Sequence, residues 1–201
     1  MIAVDVGHHA AEPGVISASG RPEFEYNRDL ALEVKAELER IGQRVRLIGE
    51  RGDHAVLYER PREAAGADLF VSIHHDSVKE RLLPKAKYFS GFSLFVSRHN
   101  PQPEKSLACA SALGAQLRAA GFSPSRYHAD PILGENRPFA DEENGVHFFD
   151  NLAVLRHAKM PAVLVEAGVI VNPEEELRMR EPGVRRRIAD AIAAGVRRCI
   201  D

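Results

Sequence analysis

The sequence lacks tryptophan and contains only two cysteines, Cys109 and Cys199. They are far apart in the chain and no CxxC pair occurs, so we expect neither a thiolate metal site nor a disulfide framework. Both cysteines lie on segments with the apolar spacing of amphipathic helices. We therefore expect them to pack in the core as small hydrophobic side chains.

The sequence also has no strong charge of one sign and no long apolar run. Its 27 basic and 29 acidic residues give a formal net charge of -2, which provides no basic field for nucleic acid or an anionic membrane. No run approaches the ~18 apolar residues that a membrane-spanning helix needs. The first predicted strand begins at Ile2 and no signal peptide is visible, which fits both a removed leader and none.

The chain does contain a regular alternation of apolar runs and helical patterns. Its 201 residues, 44% hydrophobic and 28% charged, suit one globular domain, which we assign to residues 1–201. Predicted strands lie at residues 2–7, 44–48, 68–73, 92–96, 152–155 and 162–165. Helical apolar spacing occurs at residues 30–41, 57–65, 107–117 and 184–199. The alternation predicts an α/β fold with a mainly parallel sheet of about six strands and helices on both faces.

Histidines and a carboxylate follow three of the predicted strands. His8 comes after the first strand, His74 after the strand at 68–73, and Glu166 after the strand at 162–165. If these strands are parallel neighbours, the side chains meet at the carboxyl edge of the sheet, where open α/β sheets bind ligands. Histidines and a carboxylate are typical of a zinc site with one open position.

Three glutamates are candidates for a role at this edge. Glu166 ends an almost wholly apolar strand, where a carboxylate is costly to bury unless it is paired, liganded or hydrogen-bonded. The alternative for Glu166 is a position in solvent beyond the sheet. Glu23 and Glu25 open the first helix, where acidic side chains also complement the helix dipole. Either of the two could face the end of the first strand.

The long polar segment 122–150 is interpreted as a loop. Loops of that length in compact domains are usually functional or disordered, and we expect this one to pack beside the cleft and shape the recognition of whatever the cleft binds. The other histidines are scattered, and most are expected at the surface: His54, His99, His128, His147 and His157. Two of them, His128 and His147, belong to the long segment and could overhang the cleft.

Five groups of residues occur in an order that resembles a known family. They are Asp5-Val6-Gly7-His8, Glu23 with Asn27, Leu57-x-x-Arg60 with Ala64, Ser72-Ile73-His74, and Pro161 to Gly168 with Asn172 and Glu175. Together they resemble the zinc-dependent N-acetylmuramoyl-L-alanine amidases of the Amidase_3 type. The similarity runs from Ile2 to the last helix, which implies a single catalytic amidase domain.

The resemblance implies a zinc ion (Zn²⁺) bound by His8, Glu23 and His74, with Glu166 as the catalytic residue. Glu23 is preferred to Glu25 because Asn27 follows it by four positions, as in family members. The implied reaction is hydrolysis of the amide bond between N-acetylmuramic acid and L-alanine in peptidoglycan. The implied partner is peptidoglycan or a muropeptide, not nucleic acid, and the implied location is periplasmic or extracellular.

The sequence departs from the family pattern at four positions. Val6 and His9 replace a proline and a glycine, and His75 and Asp76 follow His74 in place of a small residue and an asparagine. His9 and His75 are therefore alternative ligands, and Asp76 changes the hydrogen bonding around the site. Two other functions stay open, namely another zinc amide or peptide hydrolase of related α/β fold and a catalytically silent wall-binding module.

Overall fold

The computed structural model describes residues 1–200, which form a seven-stranded sheet. Its strands are β1 (Ile2–Val6), β2 (Val45–Ile48), β3 (Leu69–Asp76), β4 (Ser93–Val96), β5 (Phe139–Asp141), β6 (Val146–Phe148) and β7 (Ala162–Val169). Their order across the sheet is β2-β1-β3-β7-β4-β6-β5. The first four strands of this order are parallel, whereas β4 runs antiparallel to β7. The predicted α/β fold with a mainly parallel sheet is confirmed.

Residues 1–200 also form six α-helices and two 3₁₀ helices, of which the last two α-helices follow the final strand. The α-helices are α1 (Glu23–Arg40), α2 (Arg60–Glu63), α3 (Pro103–Ala119), α4 (Ala153–His157), α5 (Pro173–Arg180) and α6 (Pro182–Ile200), and the 3₁₀ helices are Glu80–Tyr88 and Tyr127–Ala129. Helix α1 follows Pro22, carries acidic residues in its first turn and ends before Gly42, whose φ is +86°. Between Met1 and Ile200, no helix combines the length and the apolarity that crossing a membrane requires.

The two faces of the sheet are covered unequally. Helices α1, α3 and α6 pack on one face and form the main hydrophobic core with it. The other face is covered by the short helices α2 and α4 and has a smaller core. Alternation along β7 directs Val163 and Val165 into the main core and Leu164 toward the thin layer. The thinly covered face leaves space for a cleft at the carboxyl edge of the central strands.

Two local predictions were wrong. Residues 152–155 were predicted as a strand, but the structure has α4 there, because a four-residue apolar run does not distinguish strand from helix. The segment 122–150 was interpreted as a loop, yet it contains β5 and β6, which extend the sheet beyond β4. Each of these strands has three residues, too few to show an alternating pattern.

The expectation that the cysteines are separate core residues was also wrong. Cys109 of α3 and Cys199 of α6 form a disulfide, with their Cα atoms 4.9 Å apart and a sequence separation of 90. The two helices approach closely because Gly195 of α6 has no side chain. A Cβ atom there would lie 2.6 Å from the Cα atom of Leu113. Sequence spacing does not reveal which two helices pack together.

Candidate active site

The structure brings the three predicted ligand side chains together. His8 follows β1, Glu23 opens α1 and His74 lies near the end of β3. One potential ligand atom from each lies within 4.8 Å of the others, and the described residues contain no other such cluster. Glu23 lies between the two rings, with Oε2 3.1 Å from His8 Nε2 and Oε1 3.1 Å from His74 Nδ1. We call this cluster the His–Glu–His triad.

Two glycines make room for the triad. A Cβ atom on Gly7 would overlap the ring of His74, and one on Gly14 would overlap the carboxylate of Glu23 and crowd the ring of His8. Gly14 also has a φ of +79°, a conformation that only glycine adopts without strain. The approach of the three donors therefore depends on backbone positions without side chains.

A buried ion pair holds the turn that carries His8. Arg60 is 1% exposed and its Nη1 donates to Asp5 Oδ1 over 2.8 Å, while Ser72 Oγ donates to Asp5 Oδ2 over 2.7 Å. Nη2 of Arg60 donates to the backbone carbonyl of His8. His8 needs this support because its φ of +65° is unfavourable for a residue with a side chain. The ion pair between Arg60 and Asp5 thus holds the turn that positions His8.

The two glutamates of α1 have different surroundings. Glu23 is 3% exposed and accepts a hydrogen bond from Asn27 Nδ2 over 3.0 Å. Glu25 instead pairs with Arg21 over 2.8 Å at the surface. Burial opposes ionisation of Glu23, but hydrogen bonds with His74 and His8 outweigh burial and hold its pKa well below the ordinary range. Glu23 is therefore an anionic donor at neutral pH.

The alternative histidines face away from the triad. His75 points to the opposite face of β3 from His74, and its Nδ1 lies 2.9 Å from Asn27 Oδ1. Burial lowers the pKa of His75 to about 4, so the ring is neutral at pH 7. His9 Nε2 lies 3.7 Å from the carboxylate of Glu12. Neither histidine belongs to the cluster of potential ligands.

Glu166 lies beside the triad on the neighbouring strand. It is directly opposite His74 in the β3–β7 register, and its Oε2 is buried without a hydrogen-bond partner in the described part of the chain. Burial raises the pKa of Glu166 well above the ordinary value, and the negative charges of Asp76 and Glu23 raise it further. A carboxyl group whose pKa is raised by burial and by neighbouring negative charges is suited to acid–base catalysis.

These groups share one cleft of about 310 Å³. Its polar lining contains His8, His74 and Glu166, and its apolar wall consists of Leu57, Phe95, Phe149, Leu152, Val154 and Leu164. A larger hollow of about 530 Å³, bordered by Tyr58 and Met160, includes no triad residue. The candidate site residues His8, His74 and Glu166 therefore all line the smaller cleft.

The sequence indicated that His128 could overhang the cleft, and it lines the cleft, but its polar contacts were not foreseen. His128 is 5% exposed and lies between Asp76 and Glu135. Burial favours a neutral ring, but the two carboxylates outweigh burial and raise the pKa of His128 to about 9. His147 is also buried, and burial lowers its pKa to about 4. Since Asp76 is 52 residues from His128, no local pattern predicts this contact.

Comparisons with known proteins identify the family of this chain. A family model described as N-acetylmuramoyl-L-alanine amidase matches residues 2–198. The chain is 30% identical to the amidase AmiC of Neisseria meningitidis serogroup B, a match that covers 100% of this chain and 53% of that protein. It is 29% identical to AmiA of Salmonella typhimurium, over 98% of this chain and 74% of that protein. The chain thus spans about half the length of the Neisseria relative.

Solved structures share the fold. The amidase Ami1 of Mycobacterium smegmatis superposes with a TM-score of 0.82 at 24% identity, covering 99% of this chain and 95% of that one. The catalytic domain of CwlV from Bacillus (Paenibacillus) polymyxa var. colistinus gives a TM-score of 0.77 at 25% identity, covering 98% and 96%. With a family match that extends over nearly all of its length, the chain belongs to the N-acetylmuramoyl-L-alanine amidase family.

Proposed function

We propose that the chain hydrolyses the amide bond between N-acetylmuramic acid and L-alanine in peptidoglycan, using a zinc ion held by the His–Glu–His triad. The observation that carries the proposal is the triad and the unpaired carboxyl of Glu166 in one cleft. Family membership supports the same reaction. Residues 1–201 are proposed to act as a single catalytic domain.

The donors of the triad fit a zinc ion. Two imidazoles and one carboxylate are typical ligands of a catalytic zinc site that keeps one position open. Glycines at positions 7 and 14 allow the donors to converge, and burial keeps competing water from Glu23. A zinc ion bound there supplies Lewis acidity, which polarises a carbonyl and acidifies water.

Side chains of the protein transfer the proton and hold the metal ligands in position. Glu166 takes a proton from the attacking water as the new C–O bond forms, and it then delivers the proton to the nitrogen of L-alanine as the C–N bond breaks. Its position opposite His74 places the carboxyl beside the triad. Arg60 and Asp5 hold the turn of His8, and Asn27 holds the Glu23 carboxylate.

We also propose that the protein works outside the cytoplasm, in the periplasm or the extracellular space. The disulfide between Cys109 and Cys199 supports this location, since such bonds persist in oxidising compartments and are rare in the cytosol. Among the relatives, the LytH protein of Staphylococcus saprophyticus carries the name "Probable cell wall amidase".

The test is digestion of purified muropeptides, with the products identified by mass spectrometry and bound zinc measured on the same sample. We expect an N-acetylmuramic acid residue with a free lactyl carboxyl group and a peptide with L-alanine at its amino terminus. Cleavage of free peptides without cleavage of muramoyl-peptides would identify a peptidase of related fold instead. Binding to cell-wall material without any product would identify a silent binding module.

A further inference from the structure

Residues 128–137, here called the wall segment, form one side of the cleft. Its ends are joined, because Arg137 N donates to the carbonyl of His128 over 2.8 Å and Asn136 N donates to the carbonyl of Asp130 over 3.3 Å. His128 and Glu135 line the cleft. The wall segment is therefore a closed loop that presents two side chains to whatever the cleft binds.

His128 attaches the wall segment to the strand that carries His74. Its Nε2 lies 2.7 Å from Asp76 Oδ2 on β3, and its Nδ1 lies 3.1 Å from Glu135 Oε2. Both nitrogens face carboxylates, so the ring donates from both and is cationic. The two carboxylates raise its pKa to about 9 against the effect of burial, so this state is populated at neutral pH. His128 thus sets the position of Glu135.

Glu135 keeps one oxygen free. Nε of Arg137 donates to Oε2, the same oxygen that faces His128. The guanidinium of Arg137 in turn lies 3.2 Å from the ring centroid of Phe149, which also lines the cleft. Oε1 has no hydrogen-bond partner among residues 1–200, and the Glu135 side chain is 30% exposed. An ionised carboxylate oxygen only accepts, so this oxygen is suited to a donor on the bound substrate.

We propose that Glu135 Oε1 accepts a hydrogen bond from an N–H group, amide or ammonium, in the stem peptide beyond L-alanine, and that His128 is the positioning residue for this contact. The inference rests on the proposed amidase function. A peptide carries N–H groups that donate only, which matches an acceptor fixed in one orientation. A sugar hydroxyl both donates and accepts hydrogen bonds, so its binding depends less on a carboxylate that is fixed in one orientation.

The test compares kcat/KM for two substrates, N-acetylmuramoyl-L-alanine and an N-acetylmuramoyl peptide of three or more residues. We expect the wild-type enzyme to prefer the longer substrate. Both Glu135→Gln and His128→Gln should reduce this preference about tenfold, because a hydrogen bond to a charged acceptor is stronger than one to a neutral or misplaced acceptor. General damage to the enzyme would lower kcat/KM for both substrates together and leave their ratio unchanged. A change in the ratio of the two kcat/KM values therefore reports on the contact with the longer substrate.

His147→Gln is the matched control. His147 is 0% exposed and packs against the ring of Phe95, as His128 does, but its Nε2 has no hydrogen-bond partner in the described chain. We expect this variant to keep the wild-type preference for the longer substrate. If His128→Gln does not fold, Glu135→Gln decides the question alone.

Three results would overturn the inference. The first is an equal loss on both substrates in Glu135→Gln, and the second is a preference that follows glycan length when a disaccharide substrate is included. The third is cleavage of neither substrate by the wild-type enzyme with bound zinc, which would also overturn the proposed function. The first two leave the amidase activity itself standing.

Discussion

Two buried carboxyl groups lie at the candidate site, Glu166 in the lining of the cleft and Glu23 between His8 and His74, and their surroundings shift their pKa values in opposite directions. Glu23 is hydrogen-bonded by His74 and His8, which outweigh burial and lower its pKa. Glu166 has no such donor, so burial and the charges of Asp76 and Glu23 raise its pKa. Separated pKa values of this kind support the proposed roles of Glu23 as an anionic ligand and of Glu166 as a proton carrier. The environment, rather than the residue type, assigns the roles.

This division predicts that Glu166→Gln separates metal binding from catalysis. Glutamine keeps the shape of the side chain but cannot carry the proton, so we expect wild-type zinc content and a rate lower by roughly 10²–10⁴-fold, the usual contribution of a positioned acid–base group. Zinc per chain and hydrolysis of a muramoyl-peptide are measured on the same preparation. Full activity in Glu166→Gln would show that another group moves the proton.

The same comparison applies to the two glutamates of α1. Glu23→Ala removes a buried donor of the triad and should lose zinc and activity together. Glu25→Ala removes only a surface pair with Arg21, worth about 0–1 kcal/mol, and should keep both. Loss of zinc from the Glu25 variant alone would reverse the assignment.

The positions of His8, His74 and Glu166 could be predicted because each follows an apolar run, and parallel strands end at a common edge. The choice of His74 over His75 also follows from strand alternation once β3 is known. The contacts of His128 could not be predicted, since its two partners lie in different parts of the chain and Asp76 is 52 residues away. Long-range polar contacts leave no periodic signal in a sequence.

At the scale of elements, the loop between β1 and α1 determines whether the triad can form. Gly14 in this loop has a φ of +79°, and a Cβ atom there would overlap the Glu23 carboxylate. Gly20 lies in the same loop with a φ of +89°, but no atom lies within 4 Å of a Cβ placed there. The two positions therefore share the backbone strain of a substitution and differ only in contact with the triad.

Gly14→Ala should consequently lose zinc, whereas Gly20→Ala should retain it. Each variant pays about 1 kcal/mol or more for a non-glycine residue at positive φ, so their melting temperatures should fall by similar amounts. Zinc content after dialysis against a weak chelator is the measurement. Equal zinc content in the two variants would mean that the triad tolerates a displaced Glu23.

Elements with long periodic patterns were predicted well, and short ones were not. The spacing of Leu30, Val34 and Leu38 identifies α1, and all three are buried in the main core. By contrast, β5 and β6 have three residues each and are stabilised by pairing with β4 and with each other. Their formation depends on tertiary contacts, for which the local sequence carries no signal.

At the scale of the whole molecule, the disulfide ties the C-terminal helix to the rest of the fold. The bond between Cys109 and Cys199 closes a loop of 90 residues, for which the chain-entropy model gives a stabilisation of about 4–5 kcal/mol. We expect Cys199→Ser and added reductant each to lower the melting temperature, without additive effect. Zinc content should not change, because neither cysteine belongs to the triad. An unchanged melting temperature on reduction would indicate that the bond is absent in solution.

Three buried histidines make the stability of the fold depend on pH in opposite ways. His75 and His147 have pKa values lowered to about 4, so their contribution is complete above the unfolded value of 6.5 and is lost as pH falls toward 4. His128 has a pKa raised to about 9, so its contribution is complete below 6.5 and is lost as pH rises through 9. Stability should therefore be greatest near pH 6.5.

His128→Gln and His147→Gln test these signs against each other. A shift from 6.5 to about 9 corresponds to a contribution on the order of 3 kcal/mol from His128, in which the effect of burial is outweighed by Asp76 and Glu135. In urea unfolding at fixed metal content, the deficit of His128→Gln relative to wild type should be large at pH 6 and nearly absent at pH 10. Neutral Tyr127, adjacent in the chain, adds no charge until higher pH, since its own pKa is raised mainly by burial.

For His147→Gln, the difference from wild type should instead change between pH 6.5 and 4, where the wild-type chain takes up a proton only on unfolding. A deficit of His128→Gln that stays constant from pH 6 to 10 would mean that the ring is neutral, and that the wall segment is held without an ion pair.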